Sequence, residues 1–368
     1  MSSVLITLFD LHFGGISNHV LNTVSNVDRD DVNVVYFGPN KTELPKFEEL
    51  GISVTRIPYN GVANLFSTVR VLLKYLNSTE CEVIVTNLRM DLLFVALARI
   101  FKKFRVIKVL HSSQNPYEDG RWSKAYWLNK FEDYLTNKFC NKVIAVSSAS
   151  LKSFEKYRAL SVKNRTVVYS GIGKPSSIKR LTDINISEKD YIKLLFVGRL
   201  VNEKGFDRVL NLLSRYELTY GKNAYRFELV VLGDGDDIDS LKASATKLAN
   251  TVVNFKGYTK DILNYYLEAD FLINGSRSEA LGLTLIESIS VGLPVIASNV
   301  GGIPEVIEDE KQGLLLDYND SDLAVSRLHN FLSNCNDYAM LSSSALVKFE
   351  RKFSVDHNAI LFMKELIW

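Results

Sequence analysis

The stretch Ser278–Glu305, SEALGLTLIESISVGLPVIASNVGGIPE, decides how this chain folds. It opens on a polar Ser-Glu pair, passes through a loop at Ala280–Leu283, and continues as a helical pattern that carries Glu287. A β-type run follows at Pro294–Ala297, then the glycine turn Gly301–Gly302, then Pro304 and Glu305 at the start of the next element. Strand, glycine turn and helix start in that order are the repeating unit of an open α/β sheet. Upstream, the run Lys193–Val197 leads into Gly198 and Arg199, with Lys204 before the helical pattern Gly205–Leu213.

The same alternation extends in both directions. Runs at Val4–Phe9, Val32–Phe37, Val54–Ile57, Val83–Thr86, Val106–Leu110, Val143–Val146 and Thr166–Tyr169 read as strands. Helix-period segments at Ser17–Thr23, Leu65–Leu76, Leu92–Phe101 and Lys124–Lys138 separate several of them, which implies crossovers and a mostly parallel sheet. The rhythm breaks at Ser170–Asp190, a polar stretch with Gly171, Gly173 and Pro175. It then resumes with strands at Phe227–Leu232, Val252–Phe255, Phe271–Asn274 and Leu314–Leu316. The expected organisation is an α/β N-terminal domain over 1–170, a linker over 171–190, a second α/β domain over 191–352, and a closing helix over 353–368 that returns to the first domain. Open α/β sheets bind ligands at the carboxyl ends of their strands, so two such domains face to face would enclose a cleft.

Composition narrows the function classes. At 368 residues, 46% hydrophobic and 23% charged, the chain is too long for one ordinary core and has a globular balance. Cys81, Cys140 and Cys335 are scattered and odd in number, which suits a reducing cytoplasm and offers no disulfide framework. The opening VLITLF reads as a first strand rather than a signal peptide, and runs such as Leu92–Ala98 are too short to span a membrane. The net charge of +2 hides an asymmetry: residues 1–170 carry 22 Lys+Arg against 15 Asp+Glu, and residues 171–368 carry 22 against 27. Arg99, Lys102, Lys103 and Arg105 are interleaved with Ile100, Phe101 and Phe104, which suits either an anionic membrane surface or a solvated helix end. Nucleic acid is a poor partner, because the chain has neither a high net charge nor a recognisable binding module.

The candidate chemistry lies at strand ends. Arg199 and Lys204 suit a diphosphate, Arg as a fork and Lys as a compact charge; the alternative is a pair of ordinary surface cations. Glu279 precedes the loop holding Gly282, and a helix begins near Leu283 or Thr284, so loop amides and the positive helix end can cradle phosphate. Glu279 then faces sugar hydroxyls and Glu287, one turn inside, the ribose. A lone helical Glu is usually solvated, but both of these sit in a mainly apolar segment. Gly14–Gly15 after the first strand offers unobstructed amides, although turn geometry is the default explanation for a glycine pair. His111 closes the strand VIKVL and can donate from one nitrogen and accept at the other. His12 is the second choice, while His329 and His357 read as structural or solvated. The run Gly233–Asp237, GDGDD, offers two carboxylates that mimic a metal site, but it follows a strand and reads as a tight loop. No HExxH, CxxC or His/Asp grouping points to a metal.

Taken together, these positions resemble the retaining glycosyltransferases of family 4, with the GT-B architecture of two Rossmann-like domains facing each other across a cleft. The resemblance spans nearly the whole chain and rests on LLFVGRLVNEKGFDRVL, FELVVLGDGD, the YYLEADFLINGS run, SEALGLTLIESISVGLPVIASNVGGIPEVI and, in the first domain, GGISNHVL. It implies that Arg199 and Lys204 grip the donor diphosphate, Glu287 the ribose, and Glu279 the C3–C4 region of the sugar. Gly15 and the amides around Gly282, Leu283 and Thr284 approach phosphates, and His111 touches the sugar near C6. Catalytic roles thus fall to Glu279, His111, Arg199 and Lys204, with no cofactor and no required metal. Departures are Ser112, where a glycine commonly follows the histidine, and Asn274–Gly275–Ser276, in place of an apolar-Pro-Ser ending. The implied reaction is front-face retaining transfer of a hexose or N-acetylhexosamine from a nucleotide sugar, UDP-linked in preference to GDP-linked. The implied acceptor is an oligosaccharide or an undecaprenyl-diphosphate-linked glycan, as for O-antigen or capsule units, at the cytoplasmic face of an inner membrane. A nucleotide-sugar 2-epimerase of the same architecture, or a non-catalytic sugar-nucleotide-binding protein, are the alternatives.

Overall fold

A computed structural model describes residues 3–11, 14–26, 32–39, 41–118, 120–158, 161–175, 185–259, 261–335 and 337–367. His12 lies outside them, as does the centre of the Ser170–Asp190 stretch. The chain forms two compact units, one of Met1–Gly173 with Lys352–Trp368, the other of Lys174–Arg351.

The first unit is built on a seven-stranded parallel sheet of β1 (Ser3–Leu8), β2 (Val32–Tyr36), β3 (Val54–Arg56), β4 (Cys81–Thr86), β5 (Arg105–Leu110), β6 (Lys142–Ala145) and β7 (Arg165–Val167). Their order in space is β3-β2-β1-β4-β5-β6-β7. Helices α1 (Gly15–Ser25), α2 (Leu44–Glu49), α3 (Leu65–Ser78), α4 (Arg89–Arg99), α5 (Lys124–Phe139) and α6 (Ser148–Tyr157) make the crossovers. A parallel sheet covered on both faces demands nearly continuous apolar strands, and β1, β4, β5 and β6 supply them. Two lysines break the rule. Lys108 in β5 and Lys142 in β6 keep only 3% of their side chains exposed, and each is rescued by a partner carboxylate.

The second unit holds a six-stranded parallel sheet of β8 (Ile192–Val197), β9 (Phe227–Leu232), β10 (Thr251–Gly257), β11 (Phe271–Asn274), β12 (Val295–Ser298) and β13 (Gly313–Leu316), ordered β10-β9-β8-β11-β12-β13. Its helices are α7 (Phe206–Tyr220), α8 (Ile238–Ala245), α9 (Leu263–Glu268), α10 (Leu283–Ser290), α11 (Ile303–Val306), α12 (Ser321–Ser333) and α13 (Tyr338–Lys352). One core runs from β8 and β9 through α7 to α12 and α13, filled by Phe196, Phe206, Tyr216, Phe227 and Phe271. His329 is part of this packing, stacked on Tyr220 at 3.8 Å and paired with the Tyr216 hydroxyl. The last helix, α14 (Val355–Ile367), packs against α1 in the first unit. Phe362 meets the ring of His19 edge-on, and Glu365 neutralises Lys142.

Candidate functional site

In the second unit the strand order reverses between β8 and β11, and such a reversal opens a crevice at the carboxyl ends of the strands. Four loops meet there backbone to backbone. The loop after β8 runs alongside the GDGDD loop after β9, with Leu200 N donating to Asp234 O (2.9 Å) and Asp237 N to Leu200 O (3.2 Å). A Cβ on Gly233 would fall 1.9 Å from Gly198 O, so only glycine permits this approach. The GDGDD run therefore braces the segment that presents Arg199. Among the described residues, no group of three or more His, Cys, Asp or Glu side chains is placed to hold a metal ion.

The loop after β11 is strapped to the loop after β8. Arg277 forks onto both Asp207 oxygens (2.8 and 2.7 Å), donates to Asn202 O, and its backbone N donates to Glu203 O. Gly205, at φ 63°, lies so close to Gly275 that an added Cβ would meet its carbonyl oxygen at 1.9 Å. This strapping brings Lys204 Nζ to 2.6 Å from Glu279 Oε2, with both side chains largely shielded. Gly302 N, beyond β12, donates to Glu279 O and fixes its backbone. The buried polar set Asn274, Ser276 and Ser298 holds the base of the loop, and Ser276 Oγ reaches Glu279 Oε2 at 3.4 Å.

Gly282, at φ 92°, precedes α10 without a side-chain cap, so the helix opens on the backbone of Leu283 and Thr284. That end is electropositive. Glu287 follows one turn later, accepting a 2.8 Å hydrogen bond from the Tyr266 hydroxyl, which also reaches Thr284 O. Burial raises the Glu287 carboxyl above its usual range, and the Tyr266 hydrogen bond opposes that rise. The Tyr266 phenol is pushed well above its ordinary value by burial and by the carboxylate, so it remains a donor. Arg199 is exposed and makes no ion pair among the described residues.

His111 and Gly15 belong to the first unit. Gly15 is exposed and begins α1. His111 Nε2 lies 2.8 Å from Asn87 Oδ1, and Asn87 Nδ2 donates to Thr7 O. Because that donation turns Oδ1 toward the imidazole, Nε2 carries the proton and Nδ1 keeps its lone pair. Burial, together with His19 and Lys108, holds His111 well below the usual histidine range, so it is neutral. The His19 ring packs edge-on against it at 5.2 Å.

Two family models cover most of the chain. Glycosyltransferase Family 4 matches residues 13–173, and Glycosyl transferases group 1 matches residues 178–346. The chain is a GT-B glycosyltransferase with family 4 homology. It is a catalytic protein and not a structural one. Relatives of the glycosyltransferase include the O-antigen biosynthesis glycosyltransferase WbnH of Escherichia coli, 24% identical over 94% of this chain and 96% of that protein. An uncharacterized glycosyltransferase of Haemophilus influenzae is 24% identical over 92% of both chains. The crystal structure of Anabaena HepE in complex with UDP and glucose superposes with a TM-score of 0.82 at 19% identity, covering 100% of this chain and 99% of that one.

Several glycosyltransferase residues escape a reading by motif. Tyr266 lies inside the YYLEADFLINGS run, yet nothing in its spacing pairs it with Glu287. Asp207 and Arg277 are distant in sequence and meet only through the fold. The polar Asn274–Gly275–Ser276 ending was visible as a departure from the family pattern, but its role as a buried network was not.

Proposed function

We propose that this enzyme is a retaining glycosyltransferase that moves a hexose or N-acetylhexosamine from a nucleotide-diphosphate sugar, UDP-linked in preference, to a glycan acceptor. The carrying observation is the 2.6 Å Lys204–Glu279 pair beside the Gly282 helix start, at the point where the second sheet reverses. Three features suit a diphosphate there: an exposed Arg199, a lysine that among the described residues is anchored by one carboxylate, and an uncapped helix end. HepE, of the same fold, was crystallised with UDP-glucose, which favours the UDP series.

In this reading Lys204 exchanges Glu279 for phosphate oxygens as the donor arrives, freeing the carboxylate to accept from sugar hydroxyls. Glu287, held by Tyr266, accepts from the ribose, and His111 Nδ1 accepts from a sugar hydroxyl. Arg199, Lys204 and the amides of Leu283 and Thr284 stabilise the charge that gathers on the departing diphosphate. The acceptor oxygen bonds to the anomeric carbon on the face that the diphosphate leaves, and a leaving-group oxygen takes the acceptor proton. Glycosidases instead use two flanking carboxylates.

The acceptor we assign is an oligosaccharide, lipid-linked as on undecaprenyl diphosphate, in bacterial surface polysaccharide synthesis; WbnH, named for O-antigen biosynthesis, supports that class. No helix among the described residues is long and apolar enough to cross a membrane. Ile100 and Phe101 are 62% and 75% exposed among Arg99, Lys102 and Lys103, which supports a peripheral stay at the cytoplasmic face of an inner membrane. Flotation with anionic liposomes is the check; no recovery removes the membrane from the proposal.

The central test is calorimetry and transfer assays against UDP-, GDP- and ADP-sugars. Arg199→Ala is expected to weaken nucleotide binding and slow transfer, and Glu279→Ala to lower kcat by about 100-fold. Wild-type kinetics in either variant excludes that residue from the site, and an inverted anomeric signal in the product excludes retention.

A further inference from the structure

The first unit contains a cavity of about 380 Å³ whose lining shares only His111 with the proposed donor contacts. It lies beside His111, walled by the first turn of α4, the middle of α5 and the end of α6. Arg89, Lys108 and Arg158 face it, with Glu132 as the one carboxylate among its lining residues. All three cations converge on Glu132, at 3.6, 3.2 and 3.5 Å respectively. They hold its carboxyl down to about 2 against the opposing effect of burial. Within the cavity lining one carboxylate faces three cations. Among the described residues Arg89 Nε is buried with no hydrogen-bond acceptor, although its Nη2 donates to Asn129 Oδ1, and the ammonium of Lys108, with three donors, reaches Asn87 O and Glu132 and is also attracted by Asp91. Arg158 also meets Asp133, which does not line the cavity. Burying like charges together is costly unless a further anion joins them. Ser112, Gln114 and Ser153 supply polar groups at the rim.

We infer that this cavity recognises an oxyanion carried by the acceptor, a phosphate or a sugar carboxylate, with Arg89 and Lys108 as the primary donors and Glu132 holding the cations in place. The inference rests on the glycosyl-transfer reading and adds to it the place where an anionic group of the acceptor is held. A neutral sugar adds nothing to the one carboxylate, Glu132, that Arg89 and Lys108 share.

The test uses the full chain carrying Arg199→Ala and Lys204→Ala, so that phosphates are not captured at the proposed donor site. With arginine side chains labelled with ¹⁵N, the protein is titrated with pyrophosphate, a hexose 1-phosphate, a hexuronic acid and glucose. Saturable shifts of the Arg89 Nε–H with either phosphate or with the hexuronic acid, and none with glucose, are expected. Adding Arg89→Gln should weaken that binding about tenfold, the loss of one charge-assisted hydrogen bond, with the circular dichroism unchanged; in that variant the Arg158 resonances report binding. Phosphate response alone assigns a phosphoryl acceptor, and hexuronate response alone assigns an acidic glycan. No shift at Arg89 with any anion, or equal shifts with glucose, overturns the inference. Nucleotide binding by the unsubstituted protein is read separately, so the cavity can fail while the donor reading stands.

Discussion

Glu287, the proposed ribose contact, shows how one hydrogen bond tunes a carboxylate. Tyr266 opposes the burial that raises it, so Tyr266→Phe should raise the donor KM by about tenfold, roughly 1.5 kcal/mol, with kcat little changed. The acid limb of the affinity profile should also move to higher pH, because the unassisted carboxylate protonates earlier as pH falls; an unmoved limb removes Tyr266 from this role. The buried imidazoles give a stability effect of definite sign. His19 is lowered to about 4 by burial, so between pH 6.5 and about 4 the unfolded chain binds a proton there that the native chain does not. Stability from this group is complete above 6.5 and is lost as pH falls through the window. Asp91 and Asp133, both raised to about 6, act with the opposite sign. The measure is therefore wild type against His19→Gln in denaturant melts, whose difference should shift by roughly 3 kcal/mol from pH 7 to pH 4. At this scale the placement of Arg199, Lys204, Glu279, Glu287 and His111 in their loops, strand ends and helix was legible in the sequence because each lies in a motif. Their partners were not, since Tyr266, Asp207 and Arg277 are brought to them only by tertiary folding.

The loops at the reversal of the second sheet form one mechanical assembly. Gly205→Ala would impose a left-handed backbone on alanine and drive its Cβ into Gly275 O; a destabilisation of about 2 kcal/mol or more is expected in thermal melts. The Arg277–Asp207 fork is partly exposed, so its worth is modest, about 0.5–1 kcal/mol by double-mutant cycle. Its larger effect should fall on turnover, through the placement of Lys204; additive single and double variants in kcat would separate the fork from the site. Elements dominated by apolar residues, such as Phe271–Asn274 and Phe227–Leu232, are readable residue for residue. Helices α6 and α13 fall outside a helix-period reading for a physical reason: their buried stripes include Ser150 and, in α13, Ser342 and Ala345. Small and polar residues packed inside erase the apolar period on which such a reading depends.

At the level of the molecule, the first unit is closed by residues from the far end of the chain. Ile172 bridges Ser354, Val355 N donates to Ile172 O, and Lys142 donates to both the carbonyl and the carboxylate of Glu365. Ending the chain after Lys352 should therefore strip the cover from α1 and take away both partners of Lys142, at a cost of about 3–5 kcal/mol. Protease sensitivity should rise in residues 1–173 and remain unchanged in 185–335; equal sensitivity in both would contradict this division. The return of α14 also has a consequence for biosynthesis. Residues 174–351 leave the ribosome as one uninterrupted stretch, so that unit acquires all its parts before α14 is made. The first unit is begun before that stretch and completed after it, with an open seam on α1 until residues 352–368 have emerged.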